Sequence, residues 1–169
     1  MPDICDLILD DHEAFRRRFG EMDELQRAGG TPERSASLWA TLADLLEVHA
    51  SAEEALFYPR LLREGSDGTD ETTDAINDHN EIRDAIRRAS RRAPGSEEWW
   101  NALTSARSAN SDHMAEEERG AIADFRVSAS DDEREELGLR WLRFQTDHAG
   151  QRGIDTSDKD VDRYVTRNR

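Results

Sequence analysis

Two residue pairs in this sequence combine helical spacing with the chemistry of metal ligands: His49 with Glu53, and His113 with Glu117. Positions four apart share one face of an α-helix, so in each pair an imidazole and a carboxylate point the same way. Where that face is apolar, burying an ionised carboxylate is costly unless a cation or hydrogen-bond donors compensate it. A polyvalent metal ion meets that cost directly. Nitrogen and oxygen donors together suit iron, manganese or zinc, and carboxylates can bridge two ions roughly 3.5–4 Å apart. Adding His12 and His79 brings the candidate ligands to His12, His49, Glu53, His79, His113 and Glu117. Six donors crowd one ion, whereas divided between two they leave positions for a bridging oxygen and an exogenous ligand.

The elements that must position these residues announce themselves by their punctuation. Thr31-Pro32-Glu33 offers an N-cap, a proline at the first helical position and an acid in the first turn. Ser96 follows Pro94-Gly95, and Ser130-Asp131-Asp132-Glu133 has the form of a capping box. Gly29-Gly30 and the run from Gly65 to Thr69 mark loops. The pattern predicts helices near 3–28, 32–64, 70–92, 97–126 and 131–149, with Pro59 kinking or ending the second early. No segment alternates as a strand would, so the predicted fold is all-α. Each of the five histidines then falls on a different helix, and the first three interrupt an apolar stripe. His12 lies with Ile4, Ile8, Phe15 and Phe19; His49 with Leu38, Leu42, Leu45 and Leu56; His79 with Ala75, Ile82 and Ile86. His113 shares its face with Ala102, Ala106, Ala109 and Gly120, small residues that leave room beside the imidazole.

A single histidine on an apolar stripe is more often a hydrogen-bonded core residue than a ligand. A single His-x-x-x-Glu match is also common by chance on glutamate-rich helices. Two such matches, accompanied by histidines on two further helices, favour a shared metal site. Glu54 and Glu118, five residues after their histidines, compete with Glu53 and Glu117, and the i+4 residues are preferred. Cys5 lies on the stripe of His12 but two turns away, too far to bind the same ion, and reads as packing.

The 169 residues support one domain, 1–150, followed by a polar tail, 151–169. Asp155, Asp158, Asp160 and Asp162, with few apolar neighbours, predict a disordered or loosely docked tail. One cysteine excludes an intramolecular disulfide, a Cys-based zinc site and an iron–sulfur cluster. The net charge of -15 repels phosphate backbones, and Arg91-Arg92 is too short a basic patch to overcome it, so nucleic acid is not an expected partner. No apolar run approaches the ~18 residues of a membrane span. Met1 to Asp10 lack the basic and apolar stretches of a signal peptide, so a cytoplasmic protein without a membrane partner is expected.

Four local motifs together resemble the hemerythrin HHE cation-binding family over about residues 3–126. They are Asp11-His12-Glu13; His49-Ala50-Ser51-Ala52-Glu53-Glu54 with Leu56-Phe57-Tyr58-Pro59; Asp78-His79-Asn80-Glu81; and His113-Met114-Ala115-Glu116-Glu117-Glu118. The resemblance implies an up-down-up-down four-helix bundle holding a non-haem di-iron centre, oxo- or hydroxo-bridged, an architecture that includes myohemerythrin. The helix near 131–149 is then an addition to the bundle. Oxygen-carrying members have His-x-x-x-His on the third helix, whereas here the second position is Arg83. The implied centre has four histidines and two carboxylates, closer to HHE domains of sensing or redox chemistry than to a dedicated oxygen carrier.

Three residues stand as possible additions to the site. Arg83 shares a face with His79 and could pair with a carboxylate or hold an anionic ligand, although outward snorkelling is the ordinary fate of so long a side chain. His148, on a stripe with Leu137, Trp141 and Phe144, could replace the missing histidine, although packing of its helix over the bundle mouth is the default expectation. Tyr58 lies roughly opposite His49 around an ideal helix, and a kink before Pro59 could swing it inward as a ligand.

Ferritin-like sites use Glu-x-x-His, but the residues three before the five histidines are Leu9, Leu46, Ile76, Asn110 and Gln145. The His-Glu-x-x-His of zinc hydrolases is also absent. The expected function is binding of O2, nitric oxide or peroxide at an open iron position, for sensing or for defence against oxidative and nitrosative stress. The alternatives are a di-iron enzyme with catalase-like, peroxidase-like or nitric-oxide-reducing activity, and a metal-free helical interaction domain. A monomer or weak homodimer is expected, with Trp99-Trp100 and the fifth helix as contact surfaces.

Overall fold

In a computed structural model describing Met1–Arg169, the nominated caps start the helices. Asp3 accepts from the Cys5 amide and opens α1 (Ile4–Arg27). Thr31 accepts from the Arg34 amide and opens α2 (Pro32–Ala52), with Pro32 in the first turn. The second arm continues through a π-helical turn, Glu53–Phe57, into α3 (Tyr58–Glu64). Next come α4 (Gly68–Ser90) and α5 (Glu97–Arg119), the latter capped by Ser96. The fourth arm breaks at Gly120 and resumes as α6 (Ala121–Ser128). Ser130 caps α7 (Asp131–Asp147), a 3-10 turn follows at Ala149–Gln151, and α8 spans Val161–Asn168. There are no strands, in agreement with the all-α expectation.

Two apolar clusters hold the four arms together, one toward each end of the bundle. One contains Ile4, Ile8, Leu56, Phe57, Leu61, Ile76, Ile122, Phe125, Leu137 and Trp141. The other contains Phe15, Phe19, Met22, Trp39, Leu42, Leu46, Trp99 and Leu103. Each fully buried side chain of this size contributes about 1.5–3 kcal/mol, so apolar burial is concentrated at the two ends and not in the layer between them. Along α1 the chain passes from Ile8 in one cluster through His12 to Phe15 in the other. Along the second arm Leu46 and Ala52 flank His49, and along α4 Ile76 and Ala85 flank His79. The four histidines therefore occupy a polar waist between two dry ends.

Two expectations are corrected. The helix predicted over 97–126 is interrupted at Gly120, whose φ of -103° and ψ of -91° leave the helical region while its amide still closes α5 onto the Glu116 carbonyl. The tail predicted to be disordered or loosely docked instead carries α8. Val165 is buried, and Val161 and Tyr164 pack against the first cluster. These three residues have i, i+3, i+4 spacing, a short apolar stripe that the surrounding aspartates obscure. Asn80 fixes the approach to α8, its amide nitrogen donating to the Lys159 carbonyl and its oxygen accepting from the Lys159 amide, both at 2.9 Å.

Helix α7 covers the bundle as expected for the additional helix. Leu137 and Trp141 enter the first cluster, and Gly138 permits the close approach, since a Cβ there would collide with the carbonyl oxygen of Pro2. No helix is long and apolar enough to cross a membrane.

Candidate metal centre

The four imidazoles converge through Nε2 and are each held from behind through Nδ1. On the inner side, His49 Nε2 lies 2.8 Å from Glu53 Oε1, and His79 Nε2 lies 3.1 Å from Glu53 Oε2. His12 Nε2 is 3.3 Å from Glu117 Oε2, and the Nε2 atoms of His79 and His113 are 3.3 Å apart. Two donor sets result, His12, His49, Glu53 and Glu117 in one, and Glu53, His79 and His113 in the other. Within each set the donor atoms all lie within 4.8 Å of one another. Glu53 belongs to both, with one oxygen turned toward each.

On the outer side, Nδ1 of His12 meets Glu118 at 2.9 Å, and that of His49 meets Asp11 at 3.0 Å. Nδ1 of His79 meets Glu54 at 3.0 Å, and that of His113 meets Asp78 at 3.3 Å. A carboxylate accepts the Nδ1 proton, so each ring can turn an Nε2 lone pair inward, the arrangement that orients metal-bound histidines and raises their basicity. The pairing crosses between helices. Asp11 precedes His12 but serves His49, and Asp78 precedes His79 but serves His113.

Several inner atoms lack any other purpose. His12 Nε2, His49 Nε2, both oxygens of Glu53 and Oε2 of Glu117 are buried without a hydrogen-bond partner. Even the 2.8 Å approach of His49 to Glu53 is not aligned as a hydrogen bond. Nitrogen and oxygen lie side by side, as donors around a shared cation do. Charge points the same way. Among the buried residues, Glu47, Glu53, Glu54 and Glu117 face a single permanent cation, Arg83, so four negative charges against one positive leave a surplus of three. Buried uncompensated charge is too costly to persist, and these residues therefore fit a polyvalent ion.

Without metal, protons must take the ion's place. Burial alone would lower the pKa of His49, but the charge of Glu53 and the hydrogen bond to Asp11 outweigh it and raise it to about 10. Burial is likewise outweighed at His113, where the hydrogen bond to Asp78 and the nearby carboxylates of Glu53 and Glu117 raise it to about 10. Burial opposes ionisation of Glu53, yet the imidazoles of His49, His113 and His79 hold its carboxyl well below the usual range.

All six candidate ligands are thus brought together, and the three additional residues fall elsewhere. Tyr58 is turned inward, but its hydroxyl donates to Glu117 Oε1 at 2.7 Å and belongs to neither donor set. Burial and the charges of Glu117 and Glu53 push its phenol well above its usual pKa, which keeps it a donor. The π-helical turn explains the inward swing. Nine residues of ideal helix put Tyr58 about 180° from His49, and the extra residue of one wide turn reduces that to about 80°. Arg83 does not snorkel outward. It is 1% exposed and pairs with Glu54 Oε1 at 2.8 Å and Glu47 Oε2 at 3.3 Å. His148 does not replace the missing histidine, because α7 ends at Asp147 and the ring turns to the Arg152 carbonyl, 2.6 Å away, against Phe144.

The supporting residues were harder to foresee. Glu54 and Glu118, rivals of the i+4 acids in the sequence, stand behind His79 and His12 instead. Gln145 donates at 2.6 Å to the same Asp11 oxygen that holds His49, and Trp141 packs edge-on against the His49 ring at 5.4 Å. Nothing in the local sequence marks these long-range partners. The acids beside His12 and His79 were the one visible signal, and their histidine partners on other helices were not legible.

The family model of the hemerythrin HHE cation-binding domain matches residues 3–123. Comparison with curated proteins and with solved structures found no match. The matched span covers α1 to α5, carries all six converging residues, and excludes α7 and α8. With the donor geometry and the matched span in agreement, this chain belongs to the hemerythrin HHE cation-binding domain family.

Proposed function

We propose that the centre holds two iron ions sharing Glu53, and that the protein binds O2, nitric oxide or peroxide there in sensing or in defence against oxidative and nitrosative stress. The observation that carries this reading is the meeting of two donor sets at one carboxylate. Imidazole and carboxylate donors suit iron, and a carboxylate with an oxygen turned to each side suits a pair of ions. Charge supports the count. One divalent ion would leave one of the three surplus negative charges unanswered. Two answer all three, and the half-buried Asp11, Asp78 and Glu118 add further negative charge around them.

The set of Glu53, His79 and His113 is the poorer in protein donors, so the open position belongs on that side. The bound metal supplies Lewis acidity and redox chemistry. The chain's own part is to orient the imidazoles through their Nδ1 partners and to hold Glu117 with the Tyr58 hydroxyl. A second reading, turnover of peroxide as a catalase-like enzyme, draws support from the same open side, since a substrate must arrive and be replaced. A metal-free interaction domain is disfavoured by the surplus buried charge.

The test is an absorption spectrum of the iron-loaded protein before and after azide, nitric oxide or hydrogen peroxide, with dissolved oxygen followed throughout. Ligand-dependent charge-transfer bands without oxygen release support binding or sensing. Sustained oxygen release supports the enzyme. Failure of every ligand to change the spectrum overturns both.

A further inference from the structure

We infer that divalent cations reach the centre through an acid-lined cleft between α4 and the α5–α6 break, a proposal that rests on the metal-centre reading above. The cleft is a cavity of about 70 Å³ whose wall carries Glu71, Asp74, Asp78 and Glu116 and whose floor includes His113 and Glu117. Five of its eight lining residues bear carboxyl groups and none is a lysine or arginine, His113 at the inner end being the one basic side chain. Four larger surface clefts include none of the six converging residues.

Two further observations separate this cleft from an ordinary acidic surface. Glu117, only 4% exposed, has its Oε2 without a hydrogen-bond partner, so an unanswered negative charge lies at the cleft's inner end. Glu71 Oε2 is likewise buried without a partner, and no cation stands beside it. Gly120 stands beside this acidic wall, since a Cβ there would lie 2.7 Å from Glu71 Oε1 and force that carboxylate to shift. The neighbouring approaches are filled: Phe15 and Trp141 pack on His49, and Tyr58 packs on His79. A narrow opening lined by one sign of charge focuses the field and concentrates cations, raising association rates by about 10–1000-fold. Asp78 joins the two zones, since it lines the cleft and also accepts from His113 Nδ1.

The experiment is stopped-flow mixing of the metal-free full-length protein with Co2+, followed through the visible cobalt bands at low and high salt. For the wild type, loading is expected to slow steeply as salt rises. The double variant E71Q/D74N is expected to load about tenfold more slowly at low salt, with a flattened salt dependence but the same final cobalt content and spectrum. G120A, which crowds the entrance without changing charge, is expected to slow loading while keeping the salt dependence. Wild-type rates in both variants would overturn the entry route while leaving the centre intact. No cobalt uptake by the wild type would overturn the centre itself and the route with it.

Discussion

Around Glu53 Oε1 the chain gathers His12, His49 and Glu117, whereas around Glu53 Oε2 it gathers only His79 and His113. The richer side is closed by aromatic rings, with Phe15 and Trp141 against His49. The poorer side has, one turn after His79, a guanidinium in place of another imidazole. Arg83 cannot donate a lone pair to a metal, and it is occupied with Glu47 and Glu54. The contrast teaches that one position on a helix decides between two chemistries. A second imidazole there would complete a coordination shell, whereas an arginine stabilises the acid behind His79 and leaves the metal side short of a donor.

The comparison can be broken most severely at the residue both sides share. Glu53→Gln removes the charged carboxylate common to both sets, and iron content measured by plasma emission is expected to fall from about two per chain to below one. Retention of two irons would show that the sides do not depend on Glu53. Arg83→Met leaves Glu47 and Glu54 buried without their cation. Denaturant unfolding of the metal-free protein should register a loss of about 3–5 kcal/mol, the usual result of breaking a buried pair. An unchanged midpoint would mean that the arginine does not serve the poorer side.

Protonation joins the two sides, since His49 belongs to one and His113 to the other. Each has a folded-state pKa of about 10, above the unfolded value near 6.5. A raised folded value means that the folded state binds the proton more tightly. Its stabilising contribution is complete below about pH 6.5 and disappears as pH rises toward about 10. The metal-free protein should therefore unfold more easily at pH 9 than at pH 6.5. Metal affinity should tighten over the same range, because ions displace these protons. A chelator competition series measures the second effect, and affinity independent of pH would contradict it.

Smaller effects should separate the sides. Asp78→Asn weakens the partner of His113 and Asp11→Asn that of His49, each expected to cost about 10–100-fold in metal affinity. With fewer donors in reserve, the Asp78 variant should lose one iron on dialysis where the Asp11 variant keeps both. Equal losses would show the sides to be equivalent. The smallest change is Tyr164→Phe, which removes the 2.5 Å hydrogen bond from its hydroxyl to the Glu54 carbonyl. Calorimetry should show a loss of about 0.5–1.5 kcal/mol, with iron content unchanged.

The contrast also marks where the sequence could be read and where it could not. Caps at Thr31, Ser96 and Ser130, and histidines recurring on apolar stripes, made the arms and the six inward residues legible, because both signals are local and periodic. The fate of Arg83 was not legible, since Glu47 and Glu54 lie 36 and 29 positions away in the chain and only packing brings them within reach. Tyr58 was half legible. Pro59 marked a disturbance, but only an inserted residue in the turn before it determines which way the ring swings. The Gly120 break and α8 escaped for the opposite reason, each being a short feature inside a strongly helical or strongly acidic surrounding.

Anomalous diffraction at the iron edge, from crystals of the iron-loaded protein, addresses the shared carboxylate most directly. Two peaks roughly 3.5–4 Å apart are expected, one beside Nε2 of His12 and His49 and the other beside Nε2 of His79 and His113, with Glu53 between them. A single peak, or peaks away from these nitrogens, would contradict a two-iron centre built on Glu53.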